Sequence, residues 1–179
     1  MLSAPSEPPA PDPRMEDYVV LELLGEGAMG SVQLVRRKHD GVRLALKSVT
    51  IRKASDRTLA LNEVSILRRL GHPGVVRFEG SFTQGDSLYI LMDYCDGGDL
   101  STLLSEQRGA NRRLPETYVR ATLCQLADAL AHCHGQKVVH RDVKSRQTSP
   151  TPRNIPLGHP HVTLSHSSYT HTTRFVSST

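Results

Sequence analysis

Three glycines stand in G-x-G-x-x-G-x-V spacing in Gly25-Glu26-Gly27-Ala28-Met29-Gly30-Ser31-Val32. Lacking β-carbons, such residues let a turn lie flat, so that backbone N–H groups rather than side chains approach an anion such as phosphate. Taken alone, the segment reads equally well as a plain β-hairpin turn. Lys47 follows the apolar run Leu44-Ala45-Leu46, and an ammonium buried behind such a run needs an opposite charge. Glu63 is the natural partner, being the single acid on the inward face of the helical segment that follows; Asp56 and Glu79 compete but fit the spacing less well. The plainer alternatives are a surface lysine at a strand end and a solvated helix carboxylate. In Met92-Asp93-Tyr94-Cys95-Asp96-Gly97-Gly98 an apolar run gives way abruptly to a polar glycine pair. Backbone groups become available there to hydrogen-bond a flat heterocycle, unless the stretch is only an interdomain linker. A charged loop, His140-Arg141-Asp142-Val143-Lys144, comes after Val138-Val139.

Alternating and β-rich patterning predicts the elements that position these groups. Tyr18–Leu24 and Ser31–Arg37 flank the glycines as two strands, and Val42–Val49 forms a third. Apolar residues Leu59, Ala60, Val64, Ile66, Leu67 and Leu70 recur at helical spacing between Ser55 and Leu70, and Gly71-His72-Pro73 stops that helix. Two further strands, Val75–Glu79 and Ser87–Tyr94, meet at the turn Gln84-Gly85-Asp86. Asp99 caps a short helix over Asp99–Glu106. A longer helix, Glu116–Gly135, carries Val119, Leu123, Leu126, Leu130 and Cys133 on one face. The predicted fold class is α+β: a five-stranded antiparallel sheet with one long helix, followed by further helices.

Composition divides the chain into zones and excludes several function classes. Residues 1–14 carry five prolines and little to bury, which predicts an extended, disordered lead-in. Residues 15–147 have globular patterning. From Thr148 to Thr179 the chain is dominated by Ser, Thr, Pro and His, with no acidic residue after Asp142, so no regular packed structure is expected there. A net charge of +4 without a Lys/Arg block, 4% aromatics and no Trp argue against nucleic-acid binding. No apolar run is long enough to span a membrane, and no secretory leader pattern opens the chain. Cys95, Cys124 and Cys133 lack metal-type spacing and read as thiols of a reducing, intracellular and cytoplasmic setting. The tail histidines His159, His161, His166 and His171 match no tetrahedral metal pattern. Ser149-Pro150 and Thr151-Pro152 resemble proline-directed phosphorylation sites.

The glycine pattern, Ala45-Leu46-Lys47 and His140-Arg141-Asp142-Val143-Lys144, in this order, resemble the signature set of the eukaryotic protein kinases over about residues 18–146. The phrasing Tyr94-Cys95-Asp96-Gly97-Gly98-Asp99-Leu100, with Val139 to Lys144, is most similar to the NIMA-related serine/threonine kinases. The resemblance implies an N-lobe over 15–92, a hinge over 93–98 and the start of a C-lobe over 99–147. It implies ATP and Mg²⁺ as cofactors and a protein substrate as partner, phosphorylated on Ser or Thr. By the same resemblance Leu24, Gly25, Gly27, Gly30, Val32 and Ala45 surround the nucleotide, and Lys47 grips its phosphates with Glu63 holding it. Met92 limits pocket depth, while the Asp93 carbonyl and Cys95 N–H face the adenine edge. Asp142 accepts the substrate proton and Lys144 offsets γ-phosphate charge.

The pattern breaks after Ser145. No Asp-Phe-Gly or Ala-Pro-Glu triplet occurs, and Gln147 stands where the family places an Mg²⁺-binding Asn, five residues past Asp142. In another register Gln147–Arg153 is an insertion before Asn154-Ile155-Pro156-Leu157, with Pro150 and Pro152 deforming the loop. The family's internal apolar stack, here Leu67, Phe78 and His140, lacks its last Phe. The chain therefore reads as the front part of a kinase domain joined to a different tail, by truncation, frameshift or intron read-through. The competing functional reading is an inactive kinase-like fragment that holds nucleotide or a protein partner without transferring phosphate. With little else to pack on, the apolar face of residues 116–135 is expected to be exposed.

Overall fold

A computed structural model describes residues 13–27, 30–140, 143–145, 148–150, 162–164 and 176–177. Strands β1 (Tyr18–Gly27), β2 (Gly30–Arg37), β3 (Arg43–Thr50), β4 (Phe78–Gln84) and β5 (Ser87–Asp93) form one antiparallel sheet in the order β1-β2-β3-β5-β4. Helix α1 (Ala54–Arg69) lies between β3 and β4 in sequence, while α2 (Leu100–Gly109) and α3 (Glu116–Gly135) follow the sheet. The predicted α+β class, with five antiparallel strands and one long helix, is the observed one.

Side chains alternate across a strand, so the sheet carries two apolar faces. On one, Val49, Leu88, Ile90 and Met92 meet Ala60, Val64 and Leu67 of α1 together with Val76. The other face gathers Tyr18, Val35, Leu44, Leu46, Phe82 and Leu91, with Phe82 stacked on Tyr89 at 4.9 Å. Truncating a fully buried member such as Ile90 or Leu67 costs about 2–5 kcal/mol, through lost burial and the cavity left behind. Such packing, rather than helix propensity alone, holds α1 against the sheet.

Local chemistry fixes where the helices begin. The Asp56 carboxylate accepts from the backbone N–H groups of Arg52 and Lys53, both at 3.2 Å, which satisfies donors at the start of α1. Arg68 and Arg69 complement the dipole in its last turn. Asp99 caps α2 as predicted, accepting from Thr102 N–H at 2.7 Å, although the helix continues to Gly109.

Between α1 and β4 the chain is tied to α3. His72 Nδ1 accepts from Gly74 N–H at 3.0 Å, which leaves Nε2 as the protonated nitrogen facing Asp128 at 3.2 Å. The His72 ring stacks on His132 at 4.9 Å, and Ile66, Leu70 and Val75 share a core with Ala129, Cys133 and Val138. The buried face of α3 thus lies toward its C-terminal half. Of the apolar face expected to be exposed, only the first part is: Val119 and Leu123 are 40% and 58% exposed, whereas Cys133 is buried and Leu126 and Leu130 pack partly against the same core.

Two predicted elements need correction. The expected strand Val75–Glu79 is displaced to Phe78–Gln84, because Val75 and Val76 are drawn into the cores around α3 and α1. From Thr148 on, no regular structure was expected, yet β7 (Thr148–Pro150) pairs with β8 (Val162–Leu164), and β9 (Val176–Ser177) pairs with β6 (Val138–Val139). Pairing asks only for backbone donors and acceptors, to which polar composition is blind. Just after the lead-in, Met15 N–H donates to Gln84 at 3.2 Å, while Arg14 N–H donates locally to Asp17 at 2.8 Å. The expectations for residues 1–12 and for the rest of the tail lie outside the described residues.

The turn joining β2 to β3 yields a testable pH effect. Hydrogen bonds from the Arg37 guanidinium at 2.7–3.0 Å, aided by one from Val42 N–H, lower the Asp40 carboxyl to about 2 from an ordinary 3.8. A carboxyl depressed by folding contributes stability above its unfolded value and loses it as pH falls through the folded one. Asp40→Asn is therefore expected to remove a part of the acid dependence of unfolding between roughly pH 4 and 2. An NMR titration of Asp40 with its midpoint near 4 would contradict this.

Candidate functional site

The strand register gathers the predicted residues on one face. Gly25 lies opposite Val32, Val32 opposite Lys47, and Lys47 opposite Ile90; one pair along, Leu34 faces Ala45 and Ala45 faces Met92. Cross-strand partners share a face and residues two apart share it again. Val32, Ala45, Lys47 and Met92 consequently point to the side of the sheet that packs on α1. The glycines lie in strand rather than in a loose turn: β1 extends through Gly25 to Gly27, which pairs with Gly30 at the start of β2. Leu24 sits at a register shift between Leu23 and Gly25 and is half-buried.

Lys47 and Glu63 meet. Lys47 Nζ donates to Glu63 Oε1 at 2.6 Å and to Oε2 at 2.9 Å, and both side chains are largely shielded, at 21% and 14% exposure. The two competing acids are engaged elsewhere. Asp56 holds the start of α1, and Glu79 is paired with Arg77 at 2.6 Å and with Arg37 at 3.7 Å. Burial of α1 through Ala60, Val64 and Leu67 aims Glu63 at the sheet, because those residues lie within one turn of it on the same side.

Met92 is 1% exposed and belongs to the core under α1, which closes the inner end of this face. At the end of β5, Asp93 N–H donates to the Arg77 carbonyl at 3.0 Å, while the Asp93 carboxylate faces the Arg77 guanidinium at 3.4 Å. Arg77 had no signal in the sequence, since its partnership depends on how β4 is reached. Cys95 follows, half-buried, and Gly98 adopts φ 74° as the chain turns toward α2. His140 is buried at 3% exposure and Lys144 is half-buried. Asp142 and Gln147 lie outside the described residues.

A lysine–glutamate pair between the third strand and the single helix of a five-stranded sheet, beside a glycine-rich strand pair, is the arrangement that positions ATP in protein kinases. Residues 18–147 match the protein kinase domain family. The chain belongs to that family. Among its relatives, the mouse serine/threonine-protein kinase Nek1 is 40% identical over 134 residues, covering 74% of this chain and 11% of the relative. Mouse Nek4 is 38% identical over 141 residues, covering 77% of this chain and 18% of the relative. Human Nek2 is 36% identical over 140 residues, covering 73% and 32% respectively. This kinase chain thus spans between about a tenth and a third of the length of these relatives. The predicted likeness to NIMA-related serine/threonine kinases is the one found.

Kinases of this family use ATP with Mg²⁺. The ATP side of the site fits: a strand pair free of side chains at its glycines faces a lysine already held in place. Among the described residues no group of three or more His, Cys, Asp and Glu side chains could hold a metal ion, and Asp142 and Gln147 lie outside those residues. Glu63 is engaged by Lys47. No helix among the described residues is long and apolar enough to cross a membrane.

Proposed function

We propose that this chain is the ATP-holding part of a serine/threonine protein kinase. The Lys47–Glu63 pair supports the reading most directly, because it stands on the same sheet face as Gly25, Val32 and Ala45. In this reading the backbone of Gly25–Gly30 lies over the phosphates and Lys47 grips them. Leu24, Val32 and Ala45 cover the adenine, Met92 closes the pocket, and the Asp93 carbonyl and Cys95 N–H take the adenine edge. Asp142 accepts the proton of a protein Ser or Thr hydroxyl, and Lys144 offsets γ-phosphate charge. Cys95, Cys124 and Cys133, none of them in a disulfide, suit a reducing, intracellular setting.

Calorimetric titration with ATP tests the reading. Charge-assisted hydrogen bonds are worth about 1.5–3 kcal/mol each, so Lys47→Ala is expected to weaken ATP binding by at least about tenfold. Equal affinity of the folded variant and the wild type would sink the assignment of Lys47.

A second reading is favoured by one observation, the lack of any Asp-Phe-Gly triplet in the 179 residues. It makes this chain by itself a holder of nucleotide or of a protein partner, without efficient transfer.

A further inference from the structure

The face of β2 and β3 opposite Val32 and Lys47 carries a serine pair that the kinase reading leaves unused. Ser31 and Ser48 stand opposite one another in register, each adjacent in sequence to a residue of the ATP face. Ser48 Oγ accepts from Ser31 N–H at 3.2 Å, donates to the Ser31 carbonyl at 3.2 Å, and lies 3.0 Å from Ser31 Oγ. A hydroxyl has one proton and two lone pairs. With its proton on the Ser31 carbonyl, Ser48 Oγ accepts from both Ser31 N–H and Ser31 Oγ–H, and all three of its capacities go to one residue.

The backbone beside this clasp is equally constrained. A β-carbon built on Gly30 would lie 1.8 Å from the Ser48 carbonyl oxygen and 2.8 Å from its carbon. The last glycine of the pattern is thus pressed on the Ser48 peptide while the next residue is bonded to the Ser48 side chain.

We infer that Ser48 is a positioning residue which, by clasping Ser31, fixes the end of the glycine-rich strand pair at the height above Lys47 that ATP requires. The inference rests on the proposed ATP site and adds a residue that contacts no nucleotide in it. Ser48 acts from behind the sheet. Its hydroxyl ties β2 to β3 at the step where Val32 and Lys47 face the ligand, so loss of the clasp loosens the glycine backbone without touching either residue.

Three substitutions in the full 179-residue chain separate the hydroxyl from shape. Ser48→Thr keeps the hydroxyl, Ser48→Val has the same branched shape without it, and Ser31→Ala removes one bond while leaving both backbone bonds to Ser48. Two readouts apply: amide hydrogen exchange at Ser31 without ligand, and ATP affinity by calorimetry. Ser48→Val is expected to speed exchange and weaken ATP binding, each by about tenfold, from hydrogen bonds worth about 1 kcal/mol each. Ser48→Thr should match the wild type, and Ser31→Ala should fall between. Wild-type exchange at Ser31 in Ser48→Val, or equal behaviour of Ser48→Val and Ser48→Thr, would overturn the inference. So would faster exchange with unchanged ATP affinity. If the wild type itself binds no ATP, the kinase-site reading fails and the positioning role with it, while exchange still decides whether the clasp holds the strand end.

Discussion

Given radiolabelled ATP and a generic basic protein, the 179-residue chain is expected to transfer phosphate at least about 10²-fold more slowly than a complete Nek-type catalytic domain. Phosphoryl transfer depends on electrostatic stabilisation of charge spread over the transferred group, and removing one such contributor typically costs about 10²–10³ in rate. By the family resemblance two metal ligands would be affected: no Asp-Phe-Gly triplet occurs in the sequence, and Gln147 stands five residues past Asp142, where the family places an Asn. Lys47→Ala serves as the control, because transfer by a contaminating kinase would survive it. Robust transfer abolished by that substitution would restore the fully active reading for this chain.

The contrast between the two halves of the site bears on what a sequence can show. Lys47 and Glu63 are 16 residues apart, but a buried ammonium and an inward-facing acid on the next helix can be matched by charge and periodicity alone. The five strands were legible for a similar reason, since alternation and glycine turns are local signals. What failed to show were features set by tertiary competition. Val75 and Val76 have the composition of a strand, yet burial under α3 and α1 takes them first and β4 begins at Phe78. Along α3, Val119 and Leu123 fit the apolar spacing as well as Leu126 and Cys133 do. The α1–β4 connection reaches only the later part of the helix, so the first two stay exposed. Ser31 and Ser48 carry no pattern, and only the register of β2 against β3 makes them partners. Arg77 likewise becomes a support for Asp93 through the path of the chain.

The glycine pattern itself gives the sharpest structural prediction, because its last member tolerates no side chain. Gly30→Ala is expected to destabilise the chain by about 2–4 kcal/mol, the range of steric and backbone-strain effects that the surroundings cannot relieve cheaply. The new β-carbon would fall 1.8 Å from the Ser48 carbonyl oxygen, a backbone atom, so β2 and β3 must separate at this point. Separation also breaks the Ser31–Ser48 hydrogen bonds and moves Val32 away from Lys47, so ATP affinity is expected to fall together with stability. Gly41→Ala is the matched comparison. Its φ of 74° disfavours a side chain, but nothing lies within 4 Å of the added carbon, so only about 1 kcal/mol of conformational strain is expected. Gly30 also stands at a positive φ of 154°, so in urea unfolding it is the excess of its loss over that of Gly41→Ala that reports the contact. Equal losses at both positions would mean that the glycine pattern is kept here for backbone freedom alone, and not for the close approach of β2 to β3.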